Sequence, residues 1–577
     1  MIDYMKEFKH WMDSPALSET EWNELNAIAE NEEEIKSRFF APLEFGTAGL
    51  RGTMGLGINR MNKHVVKHAT QAFADVINAE GSEMAKKGVV ICYDCRHFSE
   101  EFACEAAGVM AANGIPVKLF DALRPTPELS FAIRKYGAIA GINVTASHNP
   151  KEYNGFKVYW SDGAQLPPKH AAAIAERMTK IGVFNDIKSI SADEAAGKGL
   201  LEIIGAETDE AFLENVLSQS INRELVARVS DDMKIVFTPF HGAGHMLVPE
   251  ALKRLGFKHI FPVPEQMIID GSFPTVSSPN PENPEGFHLA VKLAKEIESN
   301  LIIGTDPDSD RVGCMVACGD GTFTTISGNQ MGVLLLDYII NARKNAETLP
   351  SNACALKTIV TTEMARVVAE KNGIHIEDTF TGFKFMAEKL AEYEENGDSY
   401  EYLIAYEESY GYMMGDFVRD KDAVTASMMI AEMAAYYYEN GKTLLQALDA
   451  LYEKYGFFAE KTLNLVMPGI DGLEKMRALM LRLREKAPSE ISGVSILRAR
   501  DYEAGRISVP GIGTVGETDI AGSNVLYFEL EDNSSFIIRP SGTEPKVKVY
   551  IMVRGENKAE CEEKIEKYEL FAETLKA

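Results

Sequence analysis

Residues 88–120 decide the fold and read GVVICYDCRHFSEEFACEAAGVMAANGIPVKLF. Short apolar runs in this stretch alternate with a longer segment of helical periodicity, and the alternation continues to residue 144. Such a pattern predicts strands and helices in turn. The predicted elements are a strand at 88–93, a helix at 100–113, a strand at 115–120, a helix at 128–136 and a strand at 138–144. Together they indicate an α/β unit.

The same alternation recurs twice further along the chain. A strand, a helix and a strand are predicted at 234–237, 246–255 and 301–304, and again at 357–361, 364–371 and 402–406. The C-terminal part differs, because strand-like runs at 525–530, 535–538 and 547–553 precede a charged helix that begins at Lys558. The sequence therefore predicts three related mixed α/β domains and a C-terminal α+β domain. The predicted domains are 1–205, 206–320, 321–455 and 456–577.

Charge and composition restrict the partners. The 577 residues are 45% hydrophobic and 25% charged, as in ordinary globular proteins, and exceed what one hydrophobic core supports. A formal net charge of -27 at pH 7 would repel nucleic acid and anionic lipid. Neither nucleic acid nor a membrane is expected as a partner. Any cations that meet an anionic ligand must be concentrated locally.

Cysteine usage and the N-terminus indicate a cytoplasmic protein. The seven cysteines are odd in number and scattered, which fits a reducing compartment. Residues 1–15 carry charges throughout and no run of about 18 apolar residues occurs, so neither a signal peptide nor a membrane span is predicted. The pairs Cys92/Cys95 and Cys314/Cys318 lie in or at the ends of apolar runs, which favours buried, inert thiols over a zinc site.

The segment at 145–150, Thr-Ala-Ser-His-Asn-Pro, follows a predicted strand and places the Ser147 hydroxyl on a loop at the carboxyl end of that strand. Ligands of α/β sheets bind at such ends, and the hydroxyl is expected to be exposed. Because a bare serine is a poor nucleophile, a mechanism needs a base or an electrophile activated by positive charge. His148 and Lys157 are the nearest candidates. The alternative is a turn in which these residues serve only the conformation.

Three carboxylates, Asp306, Asp308 and Asp310, directly follow the apolar run 301–303. Alternate spacing in an extended loop would aim all three in one direction. Three hard oxygen ligands with further positions open suit Mg²⁺. A calcium-binding EF-hand is rejected, because that pattern requires Gly and Glu where Arg311 and Ala317 stand. A solvated acidic turn remains the alternative, although uncompensated carboxylates this close repel one another.

Two further loops carry polar groups that suit a sugar phosphate. Residues 539–546, Arg-Pro-Ser-Gly-Thr-Glu-Pro-Lys, offer a guanidinium, two hydroxyls and backbone donors that could hold phosphate, with an ordinary hairpin as the alternative. Residues 406–411, Tyr-Glu-Glu-Ser-Tyr-Gly, could hold sugar hydroxyl groups, with a merely charged loop as the alternative. A Gly-x-Gly-x-x-Gly match at 511–516 has no helical pattern behind it and is not interpreted as a nucleotide site.

Together these segments resemble the α-D-phosphohexomutase family. They follow in the order of that family: Phe-Gly-Thr-Ala-Gly-Leu-Arg-Gly at 45–52, then 145–150, 304–311, Glu-Glu-Ser-Tyr-Gly at 407–411, and 539–543. The resemblance covers nearly the whole chain. It implies four domains around a central cleft, three of them related α/β units. One departure is Tyr406, where many relatives have Gly.

The resemblance also implies a role for each matching residue. Ser147 is similar to the phosphoserine nucleophile, and the reacting phosphate would be surrounded by Arg51, His148, Lys157 and Lys421. Asp306, Asp308 and Asp310, with Ser147, would bind Mg²⁺. The implied contacts to the sugar and to the phosphate that does not react are Thr381, Gly382, Glu407, Ser409, Arg539, Ser541, Gly542 and Thr543.

The implied activity interconverts glucose 1-phosphate and glucose 6-phosphate through a phosphoserine enzyme and glucose 1,6-bisphosphate. The chain length, the 407–411 loop and the lack of a Gly-Glu-x-Ser-Gly-His form favour glucose over mannose or glucosamine phosphates. A phosphomannomutase, a phosphopentomutase and a glucose-1,6-bisphosphate synthase remain open. So do a phosphatase and a silent sugar-phosphate sensor. A monomer or a homodimer is expected.

Overall fold

A computed structural model describes residues 3–396, 400–467, 472–541 and 546–576. Contacts between residues divide the chain into two compact units. Unit 1 comprises Met1–Ile326, Ala387–Glu392 and Tyr410–Gly441, and unit 2 comprises Ser327–Met386, Tyr393–Ser409 and Lys442–Ala577. Each unit is described by itself.

The first sheet of unit 1 is mixed. Its strands are β1 Leu50–Thr53, β2 Val89–Tyr93, β3 Val117–Phe120, β4 Ala140–Val144, β5 Tyr153–Trp160 and β6 Leu201–Ile204, in the order β1-β5-β4-β2-β3-β6. Its helices are α1 Tyr4–Met12, α2 Glu19–Asn26, α3 Glu32–Phe39, α4 Lys63–Ala79, α5 Ser82–Ala85, α6 Ser99–Ala112, α7 Thr126–Tyr136, α8 Pro168–Met178 and α9 Ala192–Gly197. β2 is parallel to β3 and β4, whereas β5 is antiparallel to β4. β2 and β4 are buried throughout, as expected of continuous apolar runs covered on both faces.

The second sheet of unit 1 repeats this arrangement. Its strands are β7 Lys234–Thr238, β8 His259–Pro262, β9 Leu301–Thr305, β10 Val312–Ala317 and β11 Phe323–Ile326, in the order β11-β10-β9-β7-β8. Its helices are α10 Ala206–Ser218, α11 Arg223–Val229, α12 Gly244–Leu255 and α13 His288–Ile297. β7 lies parallel between β8 and β9, and β10 runs antiparallel to β9.

The third group of elements has the same core order. The strands β12 Ala353–Thr358, β13 His375–Thr379 and β14 Glu401–Glu407 and the helices α14 Gly328–Asn345, α15 Met364–Asn372 and α18 Leu444–Tyr455 belong to unit 2. β15 Gly411–Met413 and α17 Ala423–Glu439 belong to unit 1, and α16 Phe383–Asn396 contains residues of both units. β12 lies parallel between β13 and β14. The strand predicted at 357–361 is displaced, because the buried run is Ala353–Thr358 and the chain then turns, with the Thr361 N–H bonded to the Thr358 carbonyl at 3.0 Å.

The C-terminal sheet in unit 2 is antiparallel. Its strands are β16 Phe457–Val466, β17 Glu490–Ile491, β18 Val494–Asp501, β19 Arg506–Val509, β20 Gly513–Glu517, β21 Leu526–Leu530, β22 Ser535–Pro540 and β23 Lys546–Gly555, and its helices are α19 Gly472–Glu485 and α20 Lys558–Thr574. The main order is β16-β23-β22-β21-β18-β19-β20, with β17 paired to β18. The Gly-rich segment at 511–516 falls in the β19–β20 hairpin, as its lack of a following helix indicated. The predicted fold class, three related mixed α/β domains and an α+β domain, is confirmed.

The sequence made two further predictions, one about membrane-spanning segments and one about the cysteines. In the described residues no helix combines the length and apolar character needed to cross a membrane. All seven cysteines are free, and Cys92 and Cys314 are buried as predicted. Cys318 is exposed and Cys95 is only partly buried, so the prediction of four buried thiols is wrong at Cys318. Cys318 lies beyond the end of β10, where the sheet no longer covers it.

Candidate active site

Ser147 lies in the turn that follows β4, as predicted, but its hydroxyl is not exposed. The residue is only 6% exposed and adopts a positive φ of 51°. Its N–H donates to the Thr145 hydroxyl oxygen at 2.9 Å. Its own hydroxyl donates to Asp306 Oδ2 at 2.7 Å and lies 3.2 Å from His148 Nδ1. The residue is buried because the second sheet of unit 1 supplies the carboxylate that covers it.

The three aspartates converge as the spacing suggested, but through a turn rather than an extended loop. Ser309 has a positive φ of 52°, and its N–H donates to the Asp306 carbonyl at 3.0 Å. One carboxylate oxygen from each of Asp306, Asp308 and Asp310 lies within 4.8 Å of the others. Asp306 Oδ1 accepts the N–H groups of Asp310 at 3.1 Å and Arg311 at 3.0 Å, which fixes the loop.

The arrangement fits a hard divalent cation. All three aspartates are at most 2% exposed, so their charges are withdrawn from water. Asp308 Oδ1 and Asp310 Oδ1 are buried without a hydrogen-bond partner. Buried carboxylate oxygens without partners are costly unless a cation joins them. Oxygen-only ligands are those that Mg²⁺ and Ca²⁺ take.

Two lysines lie against this carboxylate group. Lys157 Nζ, on β5, is 2.7 Å from Asp308 Oδ2 and 3.4 Å from Asp310 Oδ2. Lys421 Nζ is 3.2 Å from Asp310 Oδ2. Although burial lowers the pKa of Lys157, the charges of Asp308 and Asp310 outweigh it and raise that pKa. The Lys157 side chain is therefore a fixed cation rather than a base.

Burial and neighbouring charges also act on the other titratable groups. Burial raises the pKa of Asp306, and the charges of Asp308 and Asp310 raise it further. Burial raises the pKa of Asp310 too, but Lys421, Lys157 and Arg311 outweigh it and hold the pKa below its usual range. Burial lowers the pKa of His148, and the Arg311 charge adds to that effect. His148 is thus held as a neutral imidazole beside the Ser147 hydroxyl.

Arg51 reaches the same loop from β1. Its Nη1 donates to the Asn149 side-chain oxygen at 3.3 Å, and the residue is exposed. The structure therefore brings together in unit 1 all the predicted residues around the reacting phosphate and the metal: Arg51, Ser147, His148, Lys157, Asp306, Asp308, Asp310 and Lys421.

Two supporting residues were missed by sequence reasoning. The Thr126 hydroxyl, at the start of α7, donates to Asp308 Oδ2 at 2.8 Å and accepts from the Asn143 amide at 2.7 Å. Asp420 accepts from Lys421 Nζ at 3.0 Å and from the Tyr159 hydroxyl at 3.0 Å, which orients the lysine. Thr126 lies 182 positions from Asp308, and no local pattern marks such a contact.

The predicted sugar-binding residues meet in unit 2. Glu407, at the end of β14, accepts the Gly382 N–H at 2.5 Å and lies 3.4 Å from the Ser409 hydroxyl. Gly382 has a φ of 121°, which only glycine adopts readily, and follows the partly buried Thr381. The four residues form one group.

Tyr406 belongs to the core rather than to the sugar loop. The residue is fully buried, and a Cβ added at Gly332 in α14 would lie 2.0 Å from its ring. Because the tyrosine ring packs against the backbone of α14, the departure from the family pattern at this position is a matter of packing.

The loop predicted to bind phosphate lies only partly within the described residues. Arg539 lies in β22, and the Ser541 N–H donates to the Lys546 carbonyl at 2.9 Å, which extends the antiparallel pairing of β22 with β23. The predicted residues Gly542 and Thr543 lie outside the described residues.

The three related α/β sheets place their candidate site residues at equivalent positions. Ser147 follows β4, Asp306 follows β9, and Glu407 ends β14. Each of these strands is the second to follow a central strand to which it is parallel: β4 follows β2, β9 follows β7, and β14 follows β12. Ligands of α/β sheets bind outside the carboxyl ends of the strands, so each repeated sheet presents one of these residues where a ligand would bind.

Comparison with known proteins gives the family. Residues 42–183, 210–319 and 327–455 match the domains described as phosphoglucomutase/phosphomannomutase alpha/beta/alpha domains I, II and III, and residues 500–566 match the C-terminal domain. The chain belongs to the phosphoglucomutase/phosphomannomutase family and is an isomerase with phosphohexomutase activity.

Similar curated proteins carry the name phosphoglucomutase. One from Staphylococcus haemolyticus is 34% identical over 538 residues, which are 93% of this chain and 94% of that protein. One from Staphylococcus epidermidis is 36% identical over 525 residues, which are 90% and 92% of the two chains. Among solved structures, a putative phosphomannomutase from Thermus thermophilus has a TM-score of 0.67 at 21% identity, covering 92% of this chain and 99% of its own. That likeness shows the fold.

Proposed function

We propose that the protein interconverts glucose 1-phosphate and glucose 6-phosphate through a phosphate carried on Ser147. The observation that carries the proposal is the buried Ser147 hydroxyl, 2.7 Å from Asp306 and next to a group of three carboxylates and two lysines. The name phosphoglucomutase of the staphylococcal relatives supports glucose as the sugar. A serine hydroxyl surrounded by cations and metal-binding carboxylates suits phosphoryl transfer, which depends on positioning and charge neutralisation.

We assign Asp306, Asp308, Asp310 and the Ser147 phosphate as the ligands of Mg²⁺. When bound, this ion would neutralise charge that develops on the transferred phosphoryl group. Lys157 and Lys421 hold the aspartates in place and, with Arg51, supply positive charge around the phosphate. These local cations offset the net charge of -27 at the point where an anionic substrate binds.

The chemistry balances in two half-reactions. A sugar hydroxyl attacks the phosphorus of phosphoserine 147, the bond from phosphorus to Oγ breaks, and a bond from phosphorus to the sugar oxygen forms. The hydroxyl proton passes to Ser147 Oγ, and His148 is the proposed carrier because its Nδ1 lies 3.2 Å from that oxygen. Glucose 1,6-bisphosphate then turns over and returns its other phosphate to Ser147 by the reverse steps.

We assign the remaining residues to substrate binding. Glu407 and Ser409, with Thr381 and Gly382, would hold sugar hydroxyl groups, since carboxylates and hydroxyls pair with them readily. Arg539, Ser541, Gly542 and Thr543 would hold the phosphate that does not react. We also propose that the enzyme is cytoplasmic. We propose that it acts as a monomer or a homodimer, and size-exclusion chromatography with light scattering measures which.

One assay series tests the proposed function. The purified protein receives glucose 1-phosphate, mannose 1-phosphate or ribose 1-phosphate, each with Mg²⁺ and a catalytic amount of the matching bisphosphate. We expect the highest kcat/KM with glucose 1-phosphate, and loss of nearly all activity in Ser147→Ala. Full activity of Ser147→Ala would overturn the proposal. Release of free phosphate as fast as isomer formation would instead indicate a phosphatase.

A further inference from the structure

Arg96 is hydrogen-bonded to the backbone of the loop that carries Ser147. It follows β2 in the segment Asp94-Cys95-Arg96, and its side chain is fully buried. Its guanidinium donates to four backbone carbonyls of one loop. The acceptors are the carbonyls of Ser147 and Asn149, each at 2.5 Å, and of Pro150 and Tyr153, each at 2.9 Å.

Asp94 secures the other side of the same loop. Its Oδ2 lies 3.3 Å from Arg96 Nε and accepts the Thr145 hydroxyl at 2.6 Å. The Thr145 oxygen in turn accepts the Ser147 N–H at 2.9 Å. The buried pair Asp94–Arg96 therefore reaches both the amide and the carbonyl of the residue that carries the nucleophile.

This hold explains how Ser147 keeps its backbone conformation. A non-glycine residue with a φ of 51° is strained, and such strain persists only where the surroundings over-determine it. The guanidinium fork provides that constraint, since a planar group with five donors can satisfy several carbonyls at once. Phe273 lies over the guanidinium, with its ring centroid 5.1 Å from Arg96 Cζ.

We propose that Arg96 is a positioning residue for phosphoryl transfer, which sets the direction of the Ser147 oxygen without contacting the substrate. The inference rests on the proposed function. A displacement of the oxygen by about 1 Å would slow transfer by about 100-fold, because the reacting atoms must lie in line. Lysine at this position keeps the charge but cannot bond four carbonyls.

Phosphate uptake by the dephosphorylated protein separates positioning from folding. The protein is mixed with glucose 1,6-bisphosphate labelled on its phosphates, and Ser147 labelling is followed by rapid quench. In the measured step a phosphorus–oxygen bond to the sugar breaks, a bond to Oγ forms, and the Ser147 proton passes to the sugar oxygen. The amplitude of labelling measures the fraction of protein molecules able to accept phosphate. The rate constant of labelling measures how well the Ser147 oxygen is aligned for the transfer.

For Arg96→Lys we expect a rate constant about 10- to 100-fold below wild type and an amplitude near one phosphate per folded chain. Thr145→Val, which removes the hydroxyl between Asp94 and the Ser147 amide, should slow labelling by a smaller factor. The matched control is Arg60→Lys, because Arg60 also donates to backbone carbonyls, those of Ser37 and Asn59, in the same domain. Its rate constant should equal that of wild type.

Two results would overturn the positioning role alone. One is a rate constant for Arg96→Lys within about twofold of wild type. The other is a lower amplitude with an unchanged rate constant, which would mean that Arg96 contributes to folding and not to alignment. A wild-type protein that takes up no label would overturn the proposed function and the role of Arg96 with it.

Discussion

At the scale of single residues, the site combines groups that sequence motifs identify with groups that they do not. Ser147 and the three aspartates stand in short polar segments directly after apolar strands, and this placement made them predictable. Their surroundings were not predictable, because Ser147 is buried by an aspartate 159 positions away. Thr126 bonds to Asp308 in the next domain, and Asp94 bonds to Thr145 in a neighbouring loop. A single sequence carries no signal for such contacts.

The Thr126 hydroxyl is expected to tune metal binding. Thr126→Val keeps the shape but removes the donor to Asp308 Oδ2 and the acceptor for Asn143. Because partners of metal ligands fix their orientation, we expect the affinity for Mg²⁺ to fall by about 10- to 100-fold. Calorimetric titration and the Mg²⁺ dependence of activity measure it. Thr70→Val is the control, since the buried Thr70 hydroxyl bonds only within α4, to the Val66 carbonyl; equal losses in both variants would contradict the prediction.

At the scale of elements, the sequence predicted strands better than loops. The strands β2, β4 and β9 are buried throughout, so their apolar runs gave nearly correct bounds. The run at 357–361 misled because Lys357 and Thr358, though polar, continue a buried strand that begins at Ala353. Lys357 is tolerated there because Glu363 and Asp378 pair with it, at 2.8 and 3.0 Å. The turn of the aspartate loop depends on backbone angles, which composition does not encode.

The loop after β7 supports the aspartate loop at 306–310 by close backbone contact. A Cβ on Gly242 would lie 2.5 Å from Pro307 Cα and 2.7 Å from the Pro307 carbonyl oxygen. Gly242→Ala should therefore push the aspartate loop aside, lower stability by about 1–3 kcal/mol and weaken Mg²⁺ binding. Gly197→Ala, in α9 with nothing within 4 Å, is the control: it should leave Mg²⁺ affinity unchanged and should not lower stability, since alanine favours the helix by up to about 1 kcal/mol. Unchanged Mg²⁺ affinity in Gly242→Ala would refute the account.

The N-cap residue of helix α17, Asp422, should make the free energy of unfolding depend on pH. Burial raises the pKa of Asp422, the N-cap residue, from 3.8 to about 6, against the hydrogen bonds from Thr425 and Val424. A raised pKa contributes stability that is complete below pH 3.8 and is lost as the pH rises through about 6.

Asp422→Asn keeps the cap and removes the titration. Relative to wild type, its free energy of unfolding should therefore improve by up to about 3 kcal/mol between pH 4 and pH 7. Denaturant unfolding of both proteins across this range measures the difference. A difference that stays constant or shrinks as the pH rises would be inconsistent with a raised pKa of Asp422 in the folded protein.

At the scale of the whole molecule, the charge of -27 and the phosphate chemistry are compatible because the cations are local. Lys157 and Lys421 are both paired with Asp310, so they are concentrated where an anionic substrate would react. The composition predicted this local concentration in general terms. Only the structure identifies Lys421 as part of it in space, since that residue is 264 positions from Lys157 in the sequence.

The thiols of the native protein should react in a defined order. Cys104 and Cys318 are the two exposed cysteines. Partial burial raises the pKa of Cys104, and Glu100, Glu105 and Glu101 raise it further, which slows its reaction with an anionic disulfide reagent. We expect Cys318 to react first and Cys104 second, and the rest to follow more slowly. Cys318→Ser should remove the fast phase; rapid labelling of Cys92 or Cys314 would contradict the structure.

The central claim is that Ser147 carries the phosphate, and mass spectrometry tests it most directly. The wild-type protein is incubated with glucose 1,6-bisphosphate and Mg²⁺, and its intact mass and peptides are then mapped. The account predicts one phosphate per chain, located on Ser147. When excess glucose 1-phosphate free of bisphosphate is then added, the phosphate should leave Ser147 only as fast as glucose 6-phosphate or glucose 1,6-bisphosphate forms. A protein that interconverts the two glucose phosphates while Ser147 stays unmodified, or with the phosphate on another residue, would contradict it.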